Sequence, residues 1–232
     1  MQQGLGELVE LSLEDGLTGG RLLCPPVLVP APGQYLQAHD TASSAPLSTG
    51  LFSAGQAPGG FLVAPPLPPA WRPGMELALR GPCGRGFSPP DGAQRVALLA
   101  LGVSGARLLP VLRQALEHGA AVGLAASSVS SQIPPEVEIH PVAAAAELVA
   151  WADYLAVDLP RDSLPGLRAV LGLEAGSVPI AAAQVLVYTE MPCGGLADCG
   201  VCAVPSGRGW KLACVDGPVF TLSDVLESLE TP

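Results

Sequence analysis

The first third of the chain is a succession of short extended runs of residues, and polar and apolar residues alternate in the first of them. These runs lie at residues 7–13, 21–29, 33–36, 61–63 and 75–79. Alternation with a period of two predicts strands with one buried face, and Pro25 and Pro26 confine the second run to a sheet edge or a bend. Short strands separated by turns rich in proline and glycine predict a small antiparallel β-barrel over residues 1–90.

The pattern changes after Arg95, where apolar residues become continuous instead of alternating. Residues 96–101 (VALLAL) predict a strand buried on both faces, as in a parallel sheet, and a helix is predicted over 106–118. Further strands are predicted at 120–125, 137–140, 154–157 and 184–188, and further helices at 143–152 and 164–171. Strands that alternate with helices predict right-handed βαβ units, so residues 91–182 are expected to form an α/β domain.

Four of the six cysteines lie between Met191 and Phe220, with the spacing C-x5-C-x2-C-x11-C. They are Cys193, Cys199, Cys202 and Cys214. Four convergent thiolates are what an iron–sulfur cluster requires, and the spacing is close to the plant-type C-x4-C-x2-C…C arrangement. Gly194, Gly195 and Gly200 allow the backbone to curl around an inorganic core.

Two other interpretations of these cysteines stay open. Structural zinc sites usually show two close C-x2-C pairs, whereas this segment has one. Disulfides are less consistent with the sequence, because the N-terminus has neither the basic region nor the apolar core of a signal peptide. Cys24 and Cys83 lie far from the segment and are predicted to be buried as small apolar side chains.

The segment resembles the C-terminal iron–sulfur segment of the electron-transfer subunit of NAD-dependent dihydroorotate dehydrogenase. That family ends in a Met-x-Cys-Gly loop, a Cys-x2-Cys pair and a Cys-x-Asp-Gly-Pro-Val-Phe run. The matching positions are Met191, Cys193, Gly194, Cys199, Cys202, Cys214 and residues 216–220. The family usually has four residues between the first two cysteines; this chain has five, and vertebrate-type [2Fe-2S] ferredoxins are similar to it in this respect.

The resemblance implies a [2Fe-2S] cluster on the four cysteines and a ferredoxin-reductase-like fold. This fold comprises an antiparallel barrel of the flavin-binding type, a parallel-sheet domain of the NAD-binding type, and a cluster-binding segment over 183–232.

The resemblance also implies a flavin site, which in the family begins with an Arg-Pro-x-Ser/Thr run after a Gly-Gln-(Phe/Tyr) strand. Residues 33–35 match the strand, but the run falls on residues 50–53 (GLFS), where only Ser53 is retained. The arginine that would pair with phosphate is missing. Residues 64–69 (APPLPP) place prolines, which have no N–H, where the family presents backbone donors to the pyrophosphate. The sequence therefore argues against bound FAD.

The nicotinamide site implied by the resemblance is also altered. Gly102 and Gly105 lie in a turn (GVSG) between a strand and a helix, where glycines can hold a phosphate, although a plain tight turn is the simpler interpretation. The Cys-Gly-Pro run of the family falls on residues 157–160, which carry Asp158. A carboxylate there would repel a phosphate or a hydride donor, so oxidation of NAD(P)H by this chain is not expected.

Composition excludes several classes of function. The chain has 232 residues and a net charge of −10, which disfavours binding to nucleic acid. No uninterrupted apolar run is long enough to span a membrane, and a cytoplasmic protein with reduced thiols is expected. The histidines His39, His118 and His140 are scattered and read as surface or cap residues.

Three hypotheses follow. The first is a [2Fe-2S] electron-transfer protein without catalytic residues of its own, an oxidoreductase subunit that forms a hetero-oligomer with a flavoprotein or dehydrogenase catalytic subunit. The second is a complete FAD- and cluster-containing subunit that oxidises or reduces NAD in pyrimidine biosynthesis. The third is a non-redox docking subunit with structural zinc. The loss of phosphate-binding groups favours the first.

Overall fold

The computed structural model describes the chain except for residues 15, 45–46, 103, 129–131, 175, 178–181, 208 and 230–232. Its first strands are β1 (Gln2–Glu14), β2 (Leu17–Leu23), β3 (Tyr35–Asp40), β4 (Thr49–Ala57), β5 (Gly60–Val63) and β6 (Met75–Cys83). Within the described residues these strands close into an antiparallel barrel in the order β1-β2-β5-β4-β3-β6. The predicted barrel is confirmed.

Alternate side chains of the barrel strands point inward and fill the barrel. In β6, Leu77, Leu79 and Cys83 are buried, and Ala78, between the first two, is exposed. Leu8 and Leu22, from β1 and β2, meet this inner face and are fully buried. The alternating pattern of the sequence predicted these strands because a barrel strand buries one face in its interior.

The strand β4 was missed by the sequence analysis. It reads TGLFSAGQA, and a β-bulge between Ser53 and Gly55 interrupts its register against β5. Residues 51–55 are all buried, because β4 lies between the barrel interior and the α/β half of the molecule. A strand that is covered on both sides and rich in small residues has no period of two from which to predict it.

The second half of the chain forms a mostly parallel sheet flanked by short helices. Its strands are β7 (Arg95–Ala100), β8 (Ala121–Ala126), β9 (Glu138–His140), β10 (Tyr154–Pro160) and β11 (Ala183–Tyr188). Its helices are α1 (Leu109–Glu117), α2 (Ala145–Trp151) and α3 (Leu167–Val170). The predicted helices at 106–118 and 164–171 begin as 3₁₀ turns, Ala106–Leu108 and Arg161–Gly166.

The C-terminal segment completes this sheet. It contains β12 (Ala203–Ser206), β13 (Gly209–Leu212), β14 (Val219–Thr221) and α4 (Leu222–Ser228). In the part of the chain that the structure describes, the sheet order is β14-β11-β10-β7-β8-β9, with β14 antiparallel to β11 and the other pairs parallel. The segment that carries the cysteines is therefore joined to the sheet by a strand.

The barrel and the sheet share a hydrophobic core. Tyr35 and Phe52 come from the barrel half, yet they belong to the core that also contains β7, β10 and the helices. The division of the chain near residues 90 and 182 stays a prediction. No helix in the described ranges is long and apolar enough to cross a bilayer.

We predict that Leu98→Ala lowers the free energy of unfolding by about 2–5 kcal/mol, because Leu98 is fully buried in β7 and its truncation leaves a cavity. The measurement is urea denaturation. Leu13→Ala is the control, since Leu13 is 75% exposed and its truncation should cost less than about 0.5 kcal/mol. Equal losses in the two variants would contradict the assignment of this core.

Candidate iron–sulfur site

A short hairpin brings the last two cysteines of the segment together. β12 pairs with β13, with Ala203 opposite Leu212, and the N–H of Ala213 donates to the carbonyl of Cys202 at 3.0 Å. This register places Cys202, just before the hairpin, beside Cys214, just after it. Both side chains are buried. The eleven intervening residues in the sequence are thus spanned by a hairpin.

The first two cysteines are brought together by a loop that turns sharply on itself. Gly194 and Gly195 follow Cys193 with φ values of 65° and 78°, in the left-handed region that favours glycine. Ala197 also has a positive φ, of 65°, which is uncommon for a residue with a Cβ. The loop therefore doubles back, and Cys199 returns to the side of Cys193.

Backbone donors of this loop surround the sulfur of Cys193. Desolvation alone would raise the pKa of the Cys193 thiol. The N–H of Asp198, the thiol of Cys199, and the N–H groups of Cys199 and Leu196 outweigh it and lower this pKa to about 6. A loop that stabilises a thiolate through several N–H groups suits a metal ligand, because the deprotonated sulfur is the form that binds.

Cys214 has the opposite environment when no metal neutralises the site. Burial, and then the hydrogen bond and charge of Cys202, raise the pKa of the Cys214 thiol to about 12. The N–H of Ala197 opposes this rise, while the charge of Cys193 adds to it. These interactions place the loop of the first pair of cysteines next to the second pair.

The four thiols therefore form two pairs, Cys193 with Cys199 and Cys202 with Cys214. Cys199 is exposed, Cys193 is half-buried, and the second pair is buried. Within the described residues, no three His, Cys, Asp or Glu side chains converge tightly enough to hold a single metal ion. The set of donors, two adjacent pairs of sulfurs and a ring of N–H groups, fits a dinuclear iron–sulfur group.

The remaining residues singled out in the sequence lie outside this arrangement. Cys24 and Cys83 are buried, as predicted. His118 is exposed and His140 half-buried.

The serine at the expected flavin position is engaged within its own strand. The hydroxyl of Ser53 accepts from the N–H of Gly55 at 3.1 Å and donates to the carbonyl of Gly55 at 3.3 Å. Ser53 borders a cavity of about 710 Å³ between the barrel and α1, which is also lined by Arg113 and Glu117. Arg113 donates to the carbonyl of Ala54 at 3.1 Å, which fastens α1 onto β4.

A buried ion pair lies where the two expected nucleotide runs meet. Nε of Arg107 contacts both carboxylate oxygens of Asp158, at 3.1 and 3.0 Å. Burial raises the pKa of Asp158, and the charge of Arg107 opposes that rise. The Arg107 guanidinium carbon lies 4.3 Å from the ring centroid of Tyr188 and 5.9 Å from that of Phe52. The carboxylate expected to stand alone is thus paired with an arginine.

The same arginine, Arg107, lies next to the predicted nucleotide turn of residues 102–105. A Cβ on Gly102 would lie 3.3 Å from Nη2 of Arg107. Gly105 ends the turn, and beyond it the N–H of Ala106 already donates to the hydroxyl of Ser104 at 3.1 Å. Val103 lies outside the described residues. In this arrangement the first N–H of the following 3₁₀ turn has a protein partner.

The sequence analysis missed two side chains at these sites. Arg107 carries no motif, and its partner is 51 residues away. Tyr35 was seen only as part of a flavin-type strand, yet its hydroxyl reaches the backbone of Cys214, 179 residues further on. One feature of the sequence could have indicated that Asp158 has a cationic partner: it directly follows the strand predicted at residues 154–157, and a carboxylate that is buried needs a cation beside it.

The barrel followed by a parallel sheet defines the ferredoxin-reductase-like class of fold, and comparison with solved structures supports this. An NADH-dependent reduced ferredoxin–NADP oxidoreductase, described in work on flavin-based electron bifurcation, matches with a TM-score of 0.74 at 18% identity over 97% of this chain and 93% of that one. A ferredoxin reductase in carbazole 1,9a-dioxygenase, in its FAD apo form, matches with a TM-score of 0.57 at 16% identity over 78% and 67% of the two chains.

A third structure, the ferredoxin–NADP⁺ reductase from Plasmodium falciparum, matches with a TM-score of 0.59 at 9% identity over 81% of this chain and 97% of that one. These identities establish the fold alone. Comparison of the sequence with curated proteins finds no match.

The sequence model of one family matches residues 189–226 of this chain. It describes the iron–sulfur cluster binding domain of dihydroorotate dehydrogenase B. Residues 189–226 of this chain are therefore similar to that domain, and the predicted resemblance is confirmed. An iron–sulfur cofactor is thereby supported.

We predict that Arg107→Met lowers the free energy of unfolding by about 3–5 kcal/mol, because it leaves the carboxylate of Asp158 buried without its partner. The double variant Arg107→Met/Asp158→Leu should recover most of this loss, since it removes both charges. Urea denaturation of the single and double variants measures the difference. A double variant less stable than the single one would contradict the role of the pair.

We also predict that Cys193 of the metal-free chain is alkylated by iodoacetamide with a half-maximal rate near pH 6. The thiolate is the nucleophile, so a pKa lowered to about 6 shifts the reaction to lower pH. A cysteine peptide, with a pKa of about 8.5, serves as the control. Mass spectrometry of the labelled site gives the rate. A half-maximal rate near that of the peptide would contradict the arrangement of N–H donors.

Proposed function

We propose that this chain is an electron carrier that holds a [2Fe-2S] cluster on Cys193, Cys199, Cys202 and Cys214. It exchanges electrons with a flavoprotein or dehydrogenase catalytic subunit and has no flavin or nicotinamide chemistry of its own. The observation that carries this proposal is a set of two adjacent pairs of thiols, one in a loop whose N–H groups surround Cys193 and one at the base of the hairpin.

Each pair of cysteines would ligate one iron. A bound cluster of this kind supplies one-electron transfer. The chain contributes the rest: the hairpin fixes Cys202 and Cys214, and the turn at Gly194 and Gly195 returns Cys199 to Cys193. The N–H groups of the loop stabilise the negative charge on the sulfurs, which adjusts the reduction potential.

The surface around the cysteines suits a protein partner. Four large apolar side chains of this segment are exposed: Leu196, Val201, Trp210 and Val215. The first two flank the exposed Cys199, and Val215 follows Cys214. Groups of exposed apolar side chains mark protein contact surfaces more often than single exposed apolar side chains do. We propose that the redox partner, in a hetero-oligomer, docks on this side of the molecule.

The absence of nucleotide chemistry is supported by the ion pair of Arg107 and Asp158. The Arg107 guanidinium lies against the rings of Phe52 and Tyr188. Protein side chains therefore fill the space where the expected nucleotide runs, residues 102–105 and 157–160, come together. The arginine of the flavin run is replaced by Gly50, and Ser53 is bonded within β4. These residues do not fit a flavin pyrophosphate, because Gly50 brings no cation to that position and the prolines of residues 64–69 bring no N–H donors.

One observation favours the second hypothesis, a complete flavin-containing subunit of pyrimidine biosynthesis. The cavity of about 710 Å³ beside Ser53 is large enough for a nucleotide and includes Arg113. Glu117 also lines it, which weakens its attraction for phosphate. Flavin at close to one equivalent in the purified chain would select this function, and zinc without acid-labile sulfide would select the docking subunit.

We predict that Cys202→Ala abolishes the visible absorption of the anaerobically purified protein, because three thiolates rarely hold such a cluster. The measurement is the absorption spectrum together with the electron paramagnetic resonance spectrum of the reduced protein. Cys24→Ala is the matched control: it also removes a buried thiol, but from the barrel, and it should leave both spectra unchanged. A Cys202→Ala protein with the wild-type spectra would contradict the ligand assignment.

A further inference from the structure

Tyr35 connects the barrel to the cysteine segment through its hydroxyl group. The residue begins β3 and is fully buried, and its Oη donates to the carbonyl of Cys214 at 2.9 Å. Its ring packs against Phe52, with centroids 5.8 Å apart, which fixes the direction in which the hydroxyl points. The carbonyl of a cysteine on the second pair is therefore held by a side chain from the opposite end of the sequence.

The same hydroxyl lies close to the loop of the first pair. A Cβ on Gly195 would lie 2.9 Å from Oη of Tyr35. A Cβ on Gly194 would lie 3.0 Å from Nη2 of Arg80 and 3.1 Å from Oγ of Ser48. These distances show that barrel side chains pass directly beneath the turn, which only glycine leaves room for.

The Tyr35 hydroxyl lies between the two halves of the ligand set. Its hydrogen bond goes to the carbonyl of Cys214, and the turn after Cys193 passes close to it at Gly195. One buried hydroxyl therefore lies beside backbone from both pairs of cysteines.

We propose that Tyr35 is a positioning residue of the cluster site, which sets the separation of the Cys193–Cys199 loop from Cys214. Its hydroxyl bonds the backbone carbonyl of Cys214 and not a sulfur atom, so it acts on the backbone that carries the ligands. Buried hydrogen bonds that orient ligands in this way control how firmly a metal group is held and how it is tuned. The inference rests on the proposed function.

The test is Tyr35→Phe in the full chain, purified anaerobically. This change keeps the ring and removes only the hydroxyl. Tyr154→Phe is the matched control, because Tyr154 is equally buried and its hydroxyl donates to Oε1 of Gln184 at 2.7 Å in the parallel sheet. Both variants lose one buried hydrogen bond, so a general loss of stability affects both alike.

We expect Tyr35→Phe to lose its visible absorption to an iron chelator roughly tenfold faster than the wild type, the size expected from one buried hydrogen bond. Its reduced electron paramagnetic resonance spectrum should also shift. Tyr154→Phe should match the wild type in both measurements. Cluster lifetimes and spectra that are the same in the two variants would overturn the role of Tyr35.

The metal-free chain provides a second measurement that does not depend on the proposed function. Hydrogen exchange of the amides around Cys214 should accelerate roughly tenfold in Tyr35→Phe and stay unchanged in Tyr154→Phe, because the carbonyl loses its anchor. Unchanged exchange would overturn the inference even with a cluster present. A wild-type chain that binds no cluster would refute the proposed function, while accelerated exchange would still support the contact.

Discussion

Sulfur ligands on separate parts of a chain can hold one inorganic group only if the backbone between them is fixed. In this molecule, contacts from the hairpin, the sheet and the barrel fix the backbone of the cysteines. The hairpin of β12 and β13 sets the distance between Cys202 and Cys214 through its register. β14 attaches the end of the segment to the sheet, and the N–H of Val187 donates to the carbonyl of Pro218 at 2.9 Å. The barrel contributes the hydrogen bond from the Tyr35 hydroxyl to the carbonyl of Cys214.

The junction of barrel and sheet is arranged around a different need, the neutralisation of a buried carboxylate. Asp158 lies at the end of a fully buried strand, where an isolated charge would be very unfavourable. Arg107 meets it there and stacks on two aromatic rings, while Arg113 fastens α1 onto β4. The two halves of the molecule are consequently joined by protein contacts at the place where the resemblance implied bound nucleotides.

Much of the fold follows from local patterns. A continuous apolar run predicted β7 and an alternating run predicted β1, because the burial of both faces or of one face determines the spacing of apolar residues in a strand. The cysteine spacing predicted one shared site for the four thiols, but it did not predict the pairs, Cys193 with Cys199 and Cys202 with Cys214, because the glycine-rich loop and the hairpin form these pairs. β4 could not be predicted in this way, because its bulge and its small residues leave no period.

The contacts that hold the site together could not be predicted, because they are long-range. The partner of Arg107 is 51 residues away and the partner of Tyr35 is 179 residues away, and neither pair forms a motif. Single-residue chemistry says that a buried carboxylate needs a cation and that a buried tyrosine hydroxyl needs an acceptor. The identity of these partners, Arg107 for Asp158 and the carbonyl of Cys214 for Tyr35, is visible only in the folded structure.

Counting iron, acid-labile sulfide and flavin in the anaerobically purified chain shows whether it is a cluster-bearing carrier that relies on a partner for flavin chemistry. We expect two irons and two sulfides per chain, as in a [2Fe-2S] cluster, and no flavin. Zinc in place of iron and sulfide, or flavin at one equivalent, would contradict this expectation.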